Sequence, residues 1–260
     1  MPQNGRVESR ALVQPAELLT ALDEDPRPLV VDVRWSLAGA DRPGYEARHL
    51  PGAVFCDLDA ELAAPPGDGG RHPLPSAEQM AALMRRLGIV PGRRVVVTDG
   101  GAGAAAARAW WCLRWAGHPE VQVLDGGLSA WVAGGGPVEE GDVRPEPADD
   151  VVVREGSMPT VTADDVLERH VGRLLDARAP ERFRGEVEPV DPVAGHIPGA
   201  VSCWTGSLQG PDGHYLPREE MRELLLGTAE VVDLTAYCGS GVTASQLVLA
   251  GHEAGLEVAL

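Results

Sequence analysis

The chain contains no lysine. All 22 of its basic side chains are arginine, set against 39 acidic ones, for a formal charge of −17 over 260 residues. Without an amine there is no Schiff-base lysine, no anchor for pyridoxal phosphate and no lysine for a phosphate-binding Walker loop. Positive charge is scarce too, so no basic stripe is available for nucleic acid or an anionic membrane surface. No apolar run reaches the roughly 18 residues of a membrane span. The opening Met1-Pro2-Gln3-Asn4-Gly5 lacks the basic-then-apolar pattern of a secretory leader. Cysteine is sparse: the four, at 56, 112, 203 and 238, include no C-x-x-C pair. That spacing excludes a zinc knuckle and a disulfide framework, and it predicts free thiols in a reducing, cytoplasmic setting.

What is present is a repeat. Leu29-Val30-Val31-Asp32-Val33-Arg34 matches Leu174-Leu175-Asp176-Ala177-Arg178, and Arg48-His49-Leu50-Pro51-Gly52-Ala53-Val54 matches Gly195-His196-Ile197-Pro198-Gly199-Ala200-Val201. Two similar units therefore lie in tandem, each with a buried strand, a loop, a His-x-Pro-Gly turn and a second short strand. Continuous apolar runs such as Val95-Val96-Val97 and Val121-Gln122-Val123-Leu124 predict parallel strands covered on both faces. Helix starts fall between them: Ser76 with Gln79 and Thr162 with Asp165 have capping-box spacing, and Pro217 suits a first helical position. Alternating strands and helices give an α/β fold. The Gly-, Pro- and acid-rich stretch 136–158 reads as a linker between a unit at 1–135 and a unit at 159–260.

Each unit carries one glycine-rich loop between a strand and a helix. In the first, Val95-Val96-Val97-Thr98 leads into Gly101-x-Gly103-x-x-Ala106, with Asp125 ending the next strand. This imitates a dinucleotide-binding fingerprint, although Gly126-Gly127 after Asp125 suggests a turn. In the second, Ala236-Tyr237-Cys238-Gly239-Ser240-Gly241-Val242-Thr243-Ala244 delivers a cysteine to the strand end. Glycines there let successive N–H groups turn inward as an anion nest, and the positive end of the following helix favours a thiolate. Cys238 is thus the nucleophile candidate, while Cys56, Cys112 and Cys203 sit among apolar neighbours as buried filler. A cysteine phosphatase would need an arginine six positions after the nucleophile. That position is Ala244.

The tandem Asp-x-Arg and His-x-Pro-Gly-Ala units, with the loop Cys238-Gly239-Ser240-Gly241-Val242-Thr243, resemble a two-domain rhodanese-type sulfurtransferase over nearly the whole chain. The resemblance implies two tandem rhodanese-like domains, each a mainly parallel sheet flanked by helices. The first would be catalytically silent, with Asp99 at the cysteine position, and the second catalytic. It also implies that Gly239, Gly241, Val242 and Thr243 cradle substrate, that Ser240, His72 and Asp59 relay protons, and that Arg182 holds a substrate carboxylate. Gly-Ser-Gly after the cysteine resembles the branch using 3-mercaptopyruvate rather than thiosulfate. Two features depart from the family pattern. Its second substrate arginine is missing, because Glu188-Pro189 is followed by Val190-Asp191. A final turn and helix after Val258-Ala259-Leu260 are absent, as in a domain truncated at its C-terminus.

The implied activity moves a sulfane sulfur from 3-mercaptopyruvate or thiosulfate, through a Cys238 persulfide, to cyanide or to a thiol such as thioredoxin or a glutathione-like thiol. It requires no metal or organic cofactor. Two other readings remain open at this point: a thiosulfate-specific enzyme, and a low-turnover redox or regulatory module on the same scaffold.

Overall fold

The computed structural model describes residues 10–67, 69–168, 171–227 and 233–260. Residues 1–5, where no secretory leader is expected, lie outside them. Two sheets organise the chain. The first holds β1 (Leu12–Val13), β2 (Leu29–Asp32), β3 (Val54–Phe55), β4 (Val95–Thr98) and β5 (Val121–Leu124) in the order β1-β5-β4-β2-β3. The second holds β6 (Arg173–Asp176), β7 (Val201–Ser202), β8 (Leu234–Tyr237) and β9 (Val258–Ala259) in the order β9-β8-β6-β7. Every pairing within these two sheets is parallel.

The apolar runs explain the central strands. All four residues of β2 and of β4 are buried, as expected where helices cover both faces of a parallel sheet. The repeat is visible in space as well as in sequence. Asp32, at the end of β2, forks onto Arg34, and Asp176, at the end of β6, forks onto Arg178. Each arginine also reaches backbone carbonyls of the following loop: Gly44 and Arg48 in one unit, Gly195 in the other. The two turn histidines match, with His49 Nδ1 on the Tyr45 carbonyl and His196 Nδ1 on the Phe183 carbonyl. At the far edge of the second sheet, Val161 N–H donates to the Leu260 carbonyl and Leu260 N–H to that of Pro159. Segment 159–161 thus lies against β9 much as β1 lies against β5.

Helix starts follow the local chemistry. Ser76 and Gln79 form the expected capping box at α1 (Ala77–Leu87), and Thr162 and Asp165 form one at α3 (Ala163–Leu167). Pro217 is displaced by one position from its predicted place. It caps α4 (Arg218–Leu226) in an extended conformation, φ −53° and ψ 147°, instead of opening the first turn.

The two units are joined by helices α2 (Ala104–Trp115) and α5 (Ala244–Glu253), which pack against each other. Both are buried around almost their entire circumference, since each lies between its own sheet and the other helix. One hydrophobic core consequently runs through both units, from Val95 and Trp110 to Leu247 and Leu249. Each fully buried leucine in that seam contributes roughly 1.5–3 kcal/mol. Segment 137–158 runs back across the first unit, with Glu139 bridged to His49 and Ser157 N–H on the Trp115 carbonyl. No helix among the described residues is long and apolar enough to cross a membrane.

Candidate active site

Cys238 follows the last residue of β8, at the C-terminal end of a parallel strand and six residues before α5 begins at Ala244. It is half-buried, whereas Cys56, Cys112 and Cys203 are buried. The loop turns two backbone amides onto its sulfur: Gly241 N–H donates to Sγ at 3.2 Å and Ser240 N–H approaches at 3.5 Å. These donors and the helix terminus place partial positive charge where a thiolate or a terminal persulfide sulfur needs it. Burial pushes the Cys203 thiol up to about 11 and raises those of Cys56 and Cys112.

Gly241 makes this geometry possible. Its φ of +79° lies in the left-handed region, and a Cβ there would stand 3.1 Å from Arg108 Nη1. Gly241→Ala therefore carries a backbone strain of about 1–2 kcal/mol and turns the best sulfur donor away. The expected result is slower alkylation of Cys238 by iodoacetamide at neutral pH, with the fold retained by circular dichroism.

The corresponding loop in the first unit is filled differently. Asp99 occupies the cysteine position, and its own carboxylate fills the nest. Oδ1 accepts from Gly101 N–H at 2.8 Å and Gly103 N–H at 3.1 Å, and Oδ2 from Ala106 N–H at 3.2 Å. No room is left there for a ligand anion. The dinucleotide reading loses its acidic residue as well. Asp125 accepts from Tyr215 N–H and Gln14 Nε2 and pairs with His214, so it serves the contact between units rather than a ribose.

Side chains of the first unit also approach the Cys238 loop. His72 Nε2 lies 3.0 Å from Asp59 Oδ1, which also accepts from Trp35 Nε1 at 2.9 Å. The Trp35 ring stands edge-on to His72. The carboxylate partner fixes the tautomer: Nε2 carries the proton, and the buried, unpartnered Nδ1 is an acceptor. Burial lowers the His72 pKa against the opposing pull of Asp59, so the ring is neutral at neutral pH. No hydrogen bond joins this pair to Ser240 among the described residues. The segment is held near the loop by two arginines instead. Arg108, buried in α2, donates to the carbonyls of Leu62, His72 and Pro73 while its Nη1 faces Gly241. Arg71, next to His72, lies over Gly239.

Arg182 stands on the short helix Pro180–Phe183 and forks onto Glu188, with a further bond to Asp191 at 2.8 Å. Glu188 is held at about 2 by the Asp191 N–H, by Arg182 and by the Val190 N–H, so it stays ionised throughout the useful range. Arg178, Asp191, His196, Cys238 and Gly239 line one open cavity of about 440 Å³. A larger cavity, about 700 Å³, runs past Arg42, Phe55 and Arg86 in the first unit and contains no cysteine. The Val242 side chain is buried in the core, which leaves only its backbone for a ligand, and Thr243 makes no side-chain cap bond. Arg184 is paired with Glu186 on the surface. Among the described residues, no three His, Cys, Asp or Glu side chains gather to hold a metal ion.

The rhodanese-like domain family matches residues 14–134. A probable 3-mercaptopyruvate sulfurtransferase of Pseudomonas aeruginosa is 43% identical over 95% of this chain and 90% of its own. The chain belongs to the rhodanese family of sulfurtransferases. A putative thiosulfate sulfurtransferase, SseB of Mycobacterium tuberculosis, is also 43% identical, over 94% of this chain and 89% of its own. Among solved structures, SseA from Escherichia coli, a 3-mercaptopyruvate sulfotransferase with the rhodanese fold, superposes with a TM-score of 0.84. It is 31% identical and covers 97% of each chain. Sequence reading of this sulfurtransferase missed Arg71, Arg108 and Asp191. Arg71 had a signal, as the neighbour of His72. Asp191 stands where an arginine was expected. Arg108 had none, because its role depends on α2 crossing to the other unit's loop.

Proposed function

We propose that this sulfurtransferase moves a sulfane sulfur from 3-mercaptopyruvate, through a Cys238 persulfide, to a thiol or cyanide. The observation that carries the reading is the contrast between the two loops. One nest is filled by the carboxylate of Asp99, and the other presents amides to the sulfur of Cys238. Catalysis belongs in this reading to the unit at 159–260. The unit at 1–135 supplies His72 and Asp59, and residues 136–158 connect the two.

In the donor half-reaction the Cys238 thiolate attacks the sulfur of HS–CH₂–CO–CO₂⁻. The S–S bond forms as the C–S bond breaks, and the electron pair leaves on carbon as the enolate of pyruvate. The donor's thiol proton must reach that carbon. Neutral His72 can take it at Nδ1, with Asp59 stabilising the imidazolium, and return it to the methylene, with Ser240 as the bridging hydroxyl. Pyruvate and Cys238–S–S⁻ result, with the proton count unchanged. Arg182 and the loop amides hold the carboxylate and the terminal sulfur. In the second half-reaction a thiol, RSH, takes the outer sulfur as RSSH, or cyanide takes it as thiocyanate, and the thiolate is regenerated. Thioredoxin or a glutathione-like thiol fits the acceptor role. The kinetics are double displacement.

Thiosulfate is the second donor, supported by the equal identity of the SseB relative. Its sulfite leaving group needs no proton, so His72 separates the two substrates. Wild-type kcat/KM should favour 3-mercaptopyruvate over thiosulfate; the reverse preference overturns the donor assignment. The pH profile gives a second check. Because burial depresses His72 below its usual 6.5, its proton-accepting form persists as pH falls through that value. The acid limb of kcat/KM for 3-mercaptopyruvate is therefore expected below 6.5 and absent in His72→Asn. An acid limb at or above 6.5 contradicts the role.

A further inference from the structure

Helices α2 and α5 each send one polar side chain into the other unit's glycine loop. Gln246, 3% exposed on α5, donates from Nε2 to the Ala102 carbonyl at 2.8 Å. Arg108, 1% exposed on α2, points Nη1 at the catalytic loop, where a Cβ on Gly241 would stand 3.1 Å from it. The exchange is unequal in charge. The loop already holding the Asp99 carboxylate meets a neutral amide, and the loop holding the Cys238 thiol meets a cation.

Among the described residues, every hydrogen bond that Arg108 makes goes to a backbone carbonyl and none to a carboxylate. A guanidinium buried without a counter-ion is costly, and a neutral side chain like that of Gln246 would fill the seam without that cost. What its acceptors share is the Asp59–His72 pair. Nε and Nη2 donate to Leu62, the C-cap of the short helix Leu58–Glu61 that carries Asp59. Nη2 also donates to the carbonyls of His72 at 3.1 Å and Pro73 at 3.3 Å. One planar fork thus spans the backbone on both sides of the Asp59–His72 bond, and its remaining nitrogen faces the nucleophile's loop. A rigid guanidinium can hold three segments in register in this way, which a single ammonium cannot.

We propose that Arg108 is a positioning residue for the proton relay: it fixes His72 and Asp59 relative to the Cys238 loop, so that the imidazole meets the donor where the thiolate attacks it. The proposal rests on the donor reading given above. Arg108 acts through His72, and its charge works in the same direction as its bonds. Burial is the largest cause of the lowered His72 pKa; Asp59 opposes it, and the charges of Arg108 and Arg71 add to it. Removing the Arg108 charge therefore raises the His72 pKa and leaves less of the proton-accepting form at a given pH.

The test uses two variants. Arg108→Gln keeps amide donors without the charge, and Arg108→Lys keeps the charge without the fork. Michaelis parameters are measured for both donors, and the His72 imidazole is titrated by NMR, with its signals assigned through His72→Asn. In Arg108→Gln, kcat for 3-mercaptopyruvate is expected to fall by about 100-fold with KM little changed, the scale for an acid–base group displaced by about 1 Å. Thiosulfate turnover, whose leaving group needs no proton, should fall far less. His72 should titrate at a higher pH than in the wild type. Arg108→Lys should restore the titration and only part of kcat. Equal losses with the two donors, the result for a merely structural arginine, overturn the proposal, as does a His72 titration unchanged in Arg108→Gln. Should Arg108→Gln fail to fold, the donor selectivity of the loss in Arg108→Lys decides in the same way. If the wild type forms no persulfide from 3-mercaptopyruvate, the donor reading fails, and the titration decides the coupling separately. A rise in Arg108→Gln upholds it, and no rise overturns it.

Discussion

Cys238→Ser is expected to abolish persulfide formation and to lower turnover with either donor by on the order of 10⁴-fold or more, the scale seen when a covalent nucleophile is removed. A serine hydroxyl in the same place is almost never ionised and is a poor nucleophile towards sulfur, so the first sulfur–enzyme bond does not form. No other cysteine can substitute. Cys56, Cys112 and Cys203 are buried, and burial raises all three thiols, Cys203 to about 11. Activity assays on purified Cys238→Ser check this, and residual turnover above about 1% of wild type would point to another nucleophile. Folding is expected to be intact, since the loop's bonds to the sulfur are two among many.

Asp176→Ala is expected to cost about 3–5 kcal/mol of stability, the scale for removing one partner of a buried ion pair. The Arg178 side chain is 7% exposed and that of Asp176 fully buried. The fork is made of Nε to Oδ1 at 3.0 Å and Nη2 to Oδ2 at 2.7 Å. Without the carboxylate, Arg178 is left with the Gly195 carbonyl and a 3.4 Å contact to Glu188, a carboxylate that Arg182 also uses, so its buried charge is poorly compensated. Chemical denaturation measures the loss through the midpoint at constant slope. A loss under about 1 kcal/mol would show that Glu188 compensates. The pH dependence follows from sign. Burial works to raise the Asp176 carboxyl, but the bonds from Arg178 outweigh it, so its folded value lies below the usual 3.8. Its contribution is therefore complete above that value and fades as pH falls beneath it.

Much of this was legible in the residues because the motifs are local. The buried Val95-Val96-Val97 run, the capping boxes at Ser76 and Thr162, and the two Asp-x-Arg forks each need only neighbours in sequence. The contrast between Asp99 and Cys238 was legible too, since equivalent loops announce themselves by repetition. What escaped was contact between units. Arg108 lies in an alanine-rich helix that reads as ordinary core, and its function depends on α2 packing against α5. Arg71 and Asp191 are 120 residues apart in sequence, and only the closed seam brings them over Gly239. Pro217 shifted by one position because a cap and a first turn both accept its fixed φ.

The most direct measurement is the intact mass of the protein after brief exposure to 3-mercaptopyruvate, followed by peptide mapping. The account predicts a gain of one sulfur atom per chain, located on the Cys238 peptide, matched by one pyruvate released and reversed by cyanide. No gain with 3-mercaptopyruvate or thiosulfate, or a sulfur mapped to Cys56, Cys112 or Cys203, would contradict it.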